Sequence, residues 1–235
     1  NNFDMQFSRN WLKDFIDLSI STEDICSQLT MAGVEVDGYD SFNSKLTGKD
    51  SIIKLDITPN RGDCFSVFGI ARELAVINNL NLNPPTFRPI KSSFKEDLKI
   101  KVCKEAPRYV GRSVRNINVK AKTLPLVAER LVLSDQKLID PVVDTTNYVL
   151  LELGQPLHAF DRDKLEGDIN VRKAKRGEGL TVLDEEEVEL NCCCGTPSAS
   201  CDFCGSPSSS DGAGCASTWS SSVLLAVEVE PGVPE

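Results

Sequence analysis

The sequence predicts an α/β protein made of two small α+β units. Three observations carry this. Apolar residues fall in five helix-like stretches. Short runs of alternating Val, Ile and Leu lie between them. A stretch rich in Pro and Asn, Asn81 to Pro89, divides the chain near residue 86. The first unit is read as residues 1–85, a helix–helix–strand arrangement. The second is read as 86–191, a mixed sheet with helices. A tail of different composition covers 192–235.

In the first unit Ser8 is placed to cap a helix carrying Trp11, Leu12, Phe15 and Ile16 on one face, and Asp17-Leu18-Ser19 breaks it. Ser21 with Asp24 has capping-box spacing and opens a second helix with Ile25, Leu29 and Ala32 inward, ended by Gly33. Val34 and Val36 begin a short strand. Ser41 to Asp50 (SFNSKLTGKD) reads as a polar linker. Ile53, Leu55 and Ile57 alternate on one strand face. Pro59-Asn60-Arg61-Gly62-Asp63 is turn chemistry, with Gly62 available for positive φ and Arg61 and Asp63 spaced to pair. Asp63 or Ser66 then caps a helix through Phe65, Phe68, Ala71, Leu74 and Ala75.

In the second unit Leu98-Ile100-Val102 is a strand, and Arg108 to Val119 a strand interrupted at Gly111. Thr123 to Ser134 is a helix with Pro125 in its first turn. The polar knot Asp144-Thr145-Thr146-Asn147 consists of N-cap residue types and is expected to open the next helix, leaving N–H groups to meet a negative or carbonyl-like ligand. Gly154 stops that helix as a left-handed cap, and Gln155-Pro156 leads into the chain's single histidine, His158. Ile169 and Val171 form a strand. Leu180–Leu183 and Val188–Leu190 pair as a hairpin, whose acidic run is a solvated loop and not a metal site.

Composition narrows the function. The 235 residues are 40% hydrophobic and 26% charged, ordinary for a globular protein, and the net charge of −9 excludes a global basic field for nucleic acid. No apolar run reaches membrane-span length and no signal peptide opens the chain, so a cytoplasmic location without a membrane partner is expected. Met5 is a plausible start. Cys26, Cys64 and Cys103 are scattered singly, as in a reducing compartment. The other six of nine cysteines fall between Cys192 and Cys215, in a tail without Lys or Arg. Zinc ligation at Cys201-x-x-Cys204, a disulfide cluster, and a frame-shifted or truncated segment are the three readings of that tail. Only Val223 to Val229 looks like a strand, which either rejoins the sheet or promotes aggregation.

Four stretches resemble one family. VVDTTNYVLLELGQPLHAFD (Val142–Asp161), LDITPNRGDCFSVFGIARELA (Leu55–Ala75), RYVGRSV (Arg108–Val114) and FSRNWLKDFIDL (Phe7–Leu18) are similar, in family order, to the beta subunit of bacterial phenylalanine–tRNA ligase, in its B1 and B3/B4 domains. The resemblance implies a B1-like domain over 1–85 with the family's tRNA-binding barrel replaced by the linker at 41–50. It implies a partial B3/B4-like editing domain over 86–191, with C-terminal parts missing. It further implies an alpha-subunit partner that makes the adenylate, tRNA(Phe) as the shared substrate, and hydrolytic editing of mischarged Tyr-tRNA(Phe). No cofactor belongs to this chain, while ATP and magnesium serve the whole ligase. The family's editing residues fall on Asn147 and His158 as catalytic groups and on Thr146 for the substrate. Lys137 stands where the family has an Arg, keeping the charge without the planar fork. The family's editing Glu has no counterpart before Asn191. Two alternatives stand beside this: a non-catalytic tRNA- or subunit-binding module, and an inactive truncated product.

Overall fold

The computed structural model describes residues 3–104, 108–118, 120–174, 177–181, 187–190 and 222–228. It divides into two compact units: Asn1–Lys91 with Lys120–Leu157, and Ser92–Val119 with His158–Glu235. These units do not follow the linear division at residue 85, because the helices of 120–157 pack with the first unit.

The first unit is built on a three-stranded antiparallel sheet ordered β1-β3-β2, from β1 (Phe3–Ser8), β2 (Glu35–Ser44) and β3 (Gly48–Ile57). The alternation Ile53, Leu55, Ile57 puts all three in the core, in register with Phe7, Met5 and Phe3 of β1. Helices α1 (Arg9–Leu12), α2 (Thr22–Met31) and α3 (Val67–Ile77) cover that face. The expected first helix is shorter than its apolar stripe. Phe15 and Ile16 follow it in turns, yet both are buried with Trp11 and Leu12. Ser21 caps α2 by accepting from Asp24 N at 3.1 Å, and Ser66 caps α3 by accepting from Gly69 N at 3.0 Å. Gly33 takes φ +84°, the conformation that terminates α2.

The stretch 41–50, expected as a linker, is instead the distal half of the β2–β3 hairpin, paired from Ser41↔Ser51 to Ser44↔Gly48. Its last residue has a tertiary role. Asp50, 7% exposed, accepts from Asn10 N at 2.9 Å and from the Ser8 hydroxyl at 2.5 Å. Asp50 therefore caps α1, and Ser8, the expected cap, serves it as a donor. A second correction concerns Gly62. It lies in a short 3-10 turn, Pro59–Cys64, and is not among the positive-φ residues. Arg61 locks that turn instead.

Helices α4 (Pro125–Leu133) and α5 (Pro141–Leu153) complete the first unit. Tyr148 stacks on Trp11 with centroids 5.0 Å apart, and the Arg130 guanidinium lies 4.9 Å from the Trp11 ring while pairing with Asp14 at 2.7 Å. Arg130 also donates to the Tyr148 hydroxyl at 2.7 Å, which donates to Glu152 at 2.9 Å. Burial is the chief cause that pushes the Tyr148 hydroxyl up to about 12.

The second unit holds a parallel pair, β4 (Ile100–Lys101) with β7 (Ile169–Asn170), and a three-stranded antiparallel sheet. That sheet has β5 (Tyr109–Arg115) and β6 (His158–Asp161) on either side of β10 (Ser222–Glu228). β5 runs unbroken through Gly111, contrary to the expected interruption, since a Cβ there would lie 3.1 Å from Ile100 Cδ1 and 3.3 Å from Leu224 Cδ1. The strand expected at Val223–Val229 therefore rejoins the sheet and lies at its centre. The rest of the Cys-rich tail, with all its cysteines, lies outside the described residues. β8 (Glu178–Thr181) and β9 (Glu187–Leu190) pair as the expected hairpin; Asp184 to Glu186 of its acidic run lie outside the described residues. The core here is Tyr109, Ile169 and Leu224 with partly buried Leu98, Ile100, Phe160, Leu165 and Val171. Glu96 joins its elements by ion pairs to Arg162 at 3.2 Å and Arg115 at 3.6 Å.

Candidate functional site

Helix α5 carries two of the four expected site residues. Asp140, extended at φ −156° and ψ 163°, is its N-cap, accepting from Val142 N at 2.8 Å and Val143 N at 3.1 Å. Pro141 occupies the first turn and has no N–H, and Asp144 N donates to Asp140 O at 2.8 Å. The first-turn donors are thus all absent or used. The expectation that the Asp144–Asn147 knot opens the helix is corrected by one turn, and no helix N–H is left to receive a ligand. Asp-Pro wins the start because Pro's fixed φ suits N1 and the residue before it is driven to extended backbone.

The knot instead lies inside the helix. Thr145 donates to Pro141 O at 2.6 Å and Thr146 to Val143 O at 2.7 Å. Thr146 is 7% exposed, and with its one hydroxyl proton committed it faces any ligand as an acceptor. Asn147 is half-buried. Asp144, 1% exposed, accepts from Ile139 N at 2.9 Å and from the Thr123 hydroxyl. Lys137 is exposed, on the loop between α4 and α5. Gly154 closes α5 at φ +74°, as expected.

His158 opens β6, in the second unit. Its backbone pairs with Ala226, as that of Phe160 does with Leu224, so His158, Phe160 and Leu224 share one face of the sheet. Leu224 and Phe160 mark that face as the packed one. The His158 ring is half-buried, with its centroid 6.4 Å from that of Phe160. Lys137, Thr146 and Asn147 therefore belong to the first compact unit and His158 to the second.

Asp63, Cys64 and Glu73 place their ligand atoms within 4.8 Å of one another. Arg61 fills that cluster: it pairs with Asp63 at 3.1 Å and Glu73 at 3.0 Å, donates to Cys64 Sγ at 3.0 Å, and donates to Ala32 O at 2.8 Å. Hydrogen bonding from Arg61 holds the Asp63 carboxyl below its ordinary range. Burial pushes the Cys64 thiol up to about 11, so it stays protonated at neutral pH. A guanidinium and a thiol do not fit a magnesium ion, and the turn is a structural lock.

Sequence reasoning missed Asp140, Asp144 and Thr123. The signal was available in Asp140-Pro141, since an N-cap type directly before Pro is a helix start. Nothing local marked Thr123 or Asp144 as partners twenty-one residues apart.

The B3/4 domain model matches residues 105–197, which enclose Lys137, Thr146, Asn147 and His158. The chain is 51% identical over 144 residues to the phenylalanine–tRNA ligase beta subunit of Pectobacterium atrosepticum, covering 60% of this chain and 18% of that one. It is 44% identical over 188 residues to that of Vibrio parahaemolyticus, covering 79% and 23%. Among solved structures, an N-terminal fragment of the phenylalanyl-tRNA synthetase beta subunit from Pyrococcus horikoshii matches with a TM-score of 0.33 at 22% identity, covering 81% of this chain and 50% of that one. The fold and the match over 105–197 thus make the chain similar to proteins that carry a B3/4 domain. More narrowly, over the aligned residues it is similar to the beta subunit of phenylalanine–tRNA ligase, and it spans roughly a fifth of the length of these curated relatives.

Proposed function

We propose that this chain acts as part of a phenylalanine–tRNA ligase, paired with an alpha subunit and tRNA(Phe) in the cytoplasm, and that it hydrolyses tyrosine mischarged onto that tRNA. The observation that carries the reading is the B3/4 domain match at 105–197, together with 51% identity to a curated beta subunit. No helix among the described residues is long and apolar enough to cross a membrane. ATP and magnesium belong to the adenylate-forming step of the alpha subunit; the Asp63–Cys64–Glu73 cluster does not suit them.

In the proposed reaction water attacks the ester carbonyl carbon, the bond to the ribose oxygen breaks, and the water's proton ends on that oxygen. His158 orients and deprotonates the water. Asn147 donates to the developing oxyanion, a role that falls to it because the N–H groups of α5 are already bonded. Thr146 accepts from the tyrosyl hydroxyl, since its own proton is held by Val143 O. A phenylalanyl side chain has no proton to give there, and a site built around such a bond discriminates by about 10⁴-fold or more. Lys137 contacts the tRNA or carboxyl side of the substrate as a point charge.

Deacylation of Tyr-tRNA(Phe) tests this. His158→Ala is expected to slow hydrolysis by about 10²–10⁴-fold, the usual worth of a positioned acid–base group. Equal, slow hydrolysis by both proteins would reject the enzymatic role. The second reading, a non-catalytic tRNA- or subunit-binding module, draws on His158 sharing the packed sheet face with Leu224 and Phe160. It expects His158→Ala to lower stability and leave deacylation untouched.

A further inference from the structure

The loop between α4 and α5 has little to hold it. Asp135 to Ile139 are all exposed, and the apolar members Leu138 and Ile139 are 46% and 52% exposed, so hydrophobic burial anchors the segment that carries Lys137 only in part. What meets the loop from the helix is a carboxylate. Asp144, 1% exposed, accepts from Ile139 N at 2.9 Å through one oxygen and from the Thr123 hydroxyl through the other. A carboxylate this buried needs its lone pairs satisfied, and its place in the first turn of α5 adds the favourable end of the helix dipole. These bonds join three segments: the residue two before α4, the loop two residues beyond Lys137, and the helical turn two residues ahead of Thr146.

We propose that Asp144 is a positioning residue for the editing reaction. It fixes the Lys137 loop against the part of α5 that presents Thr146 and Asn147. This rests on the function proposed above. Asp144 touches no reacting atom, so its effect falls on how substrate is held and not on the chemical step. Geometry is what it supplies. An amide oxygen can accept from Ile139 N, and an amide nitrogen can donate to the Thr123 oxygen, so Asn should serve where Ala does not.

The test uses the full chain, Tyr-tRNA(Phe) across a range of concentrations, and backbone amide exchange at Ile139. Asp144→Ala is expected to raise KM by about tenfold, leave kcat within about twofold and speed exchange at Ile139, the pattern of lost ground-state holding. Asp144→Asn is expected to restore KM to within about threefold of the original. Thr123→Val, which removes one arm and keeps Ile139 bonded, is expected to raise KM in the same direction by less. It supplies the measurement if the alanine variant does not fold. A fall in kcat with KM unchanged overturns the proposal. So does an Asn variant as impaired as the Ala variant, because charge and not geometry would then matter. Hydrolysis by the original chain with no change on substitution ends this inference alone. Absence of hydrolysis by the original chain ends the functional reading and this inference together.

Discussion

The two compact units are stabilised by different means. In the first, among the described residues, nineteen buried side chains from Met5 to Ala75 form one cluster that fills the space between a three-stranded sheet and its helices. In the second, among the described residues, the buried cluster is Tyr109, Ile169 and Leu224. Backbone pairing to β10 and the ion pairs of Glu96 take a larger share of the work there. Dense packing tolerates polar surface excursions such as the β2–β3 hairpin.

The largest expected effect probes the dense core. Phe7→Ala removes a ring with no exposure from beneath Ile53, and should cost about 3–5 kcal/mol in urea-induced unfolding of the first unit. A loss under about 1 kcal/mol would mean that the core is loosely filled. A smaller effect is expected in the second unit. Leu224→Ala, between Ser113 of β5 and Phe160 of β6, should cost about 2 kcal/mol, the low end for such a truncation, because fewer buried neighbours surround it among the described residues. Amide exchange confined to β5, β6 and β10 would read it, and an effect equal to that of Phe7→Ala would erase the contrast between the units.

The smallest effect is electrostatic and depends on pH. The Ser113 hydroxyl, with Arg162 beside it, holds the Glu96 carboxyl below its ordinary value. A carboxyl lowered by folding stabilises the fold above its unfolded pKa, and that contribution is lost as pH falls through the lower, folded value. The protection of β5, its exchange divided by the intrinsic rate at each pH, should therefore fall as pH drops below the ordinary glutamate range, about 4.3. Glu96→Gln should flatten the profile, and an unchanged profile would remove Glu96 from the account. Because the group is solvent-accessible, the effect should also shrink with added salt.

Much of this was legible in the sequence because it depended on near neighbours. The capping serines at 21 and 66 act on N–H groups three residues away. The alternation at Ile53, Leu55 and Ile57 states which face is buried before any partner strand is known. Gly154 needs only its own φ. The misses share the opposite property. Residues 41–50 have no apolar alternation, so their strand character comes from pairing across the hairpin. Asp144 to Asn147 have the local preferences of a cap, but Asp140 before Pro141 made a better one a turn earlier.

By itself, then, the sequence determined the capped starts of α2 and α3, the glycine stops of α2 and α5, the buried face of β3 and the similarity to the ligase beta subunit, all readable from residues within a few positions or from matched motifs. Tertiary structure alone decided that Asp50 caps α1, that Ser222–Glu228 lies between β5 and β6, and that Asp144 joins Thr123 to Ile139. Each of these is a polar or strand-edge contact between distant residues. Its partner is chosen by which backbone groups the packed core leaves unsatisfied, and no local preference encodes that.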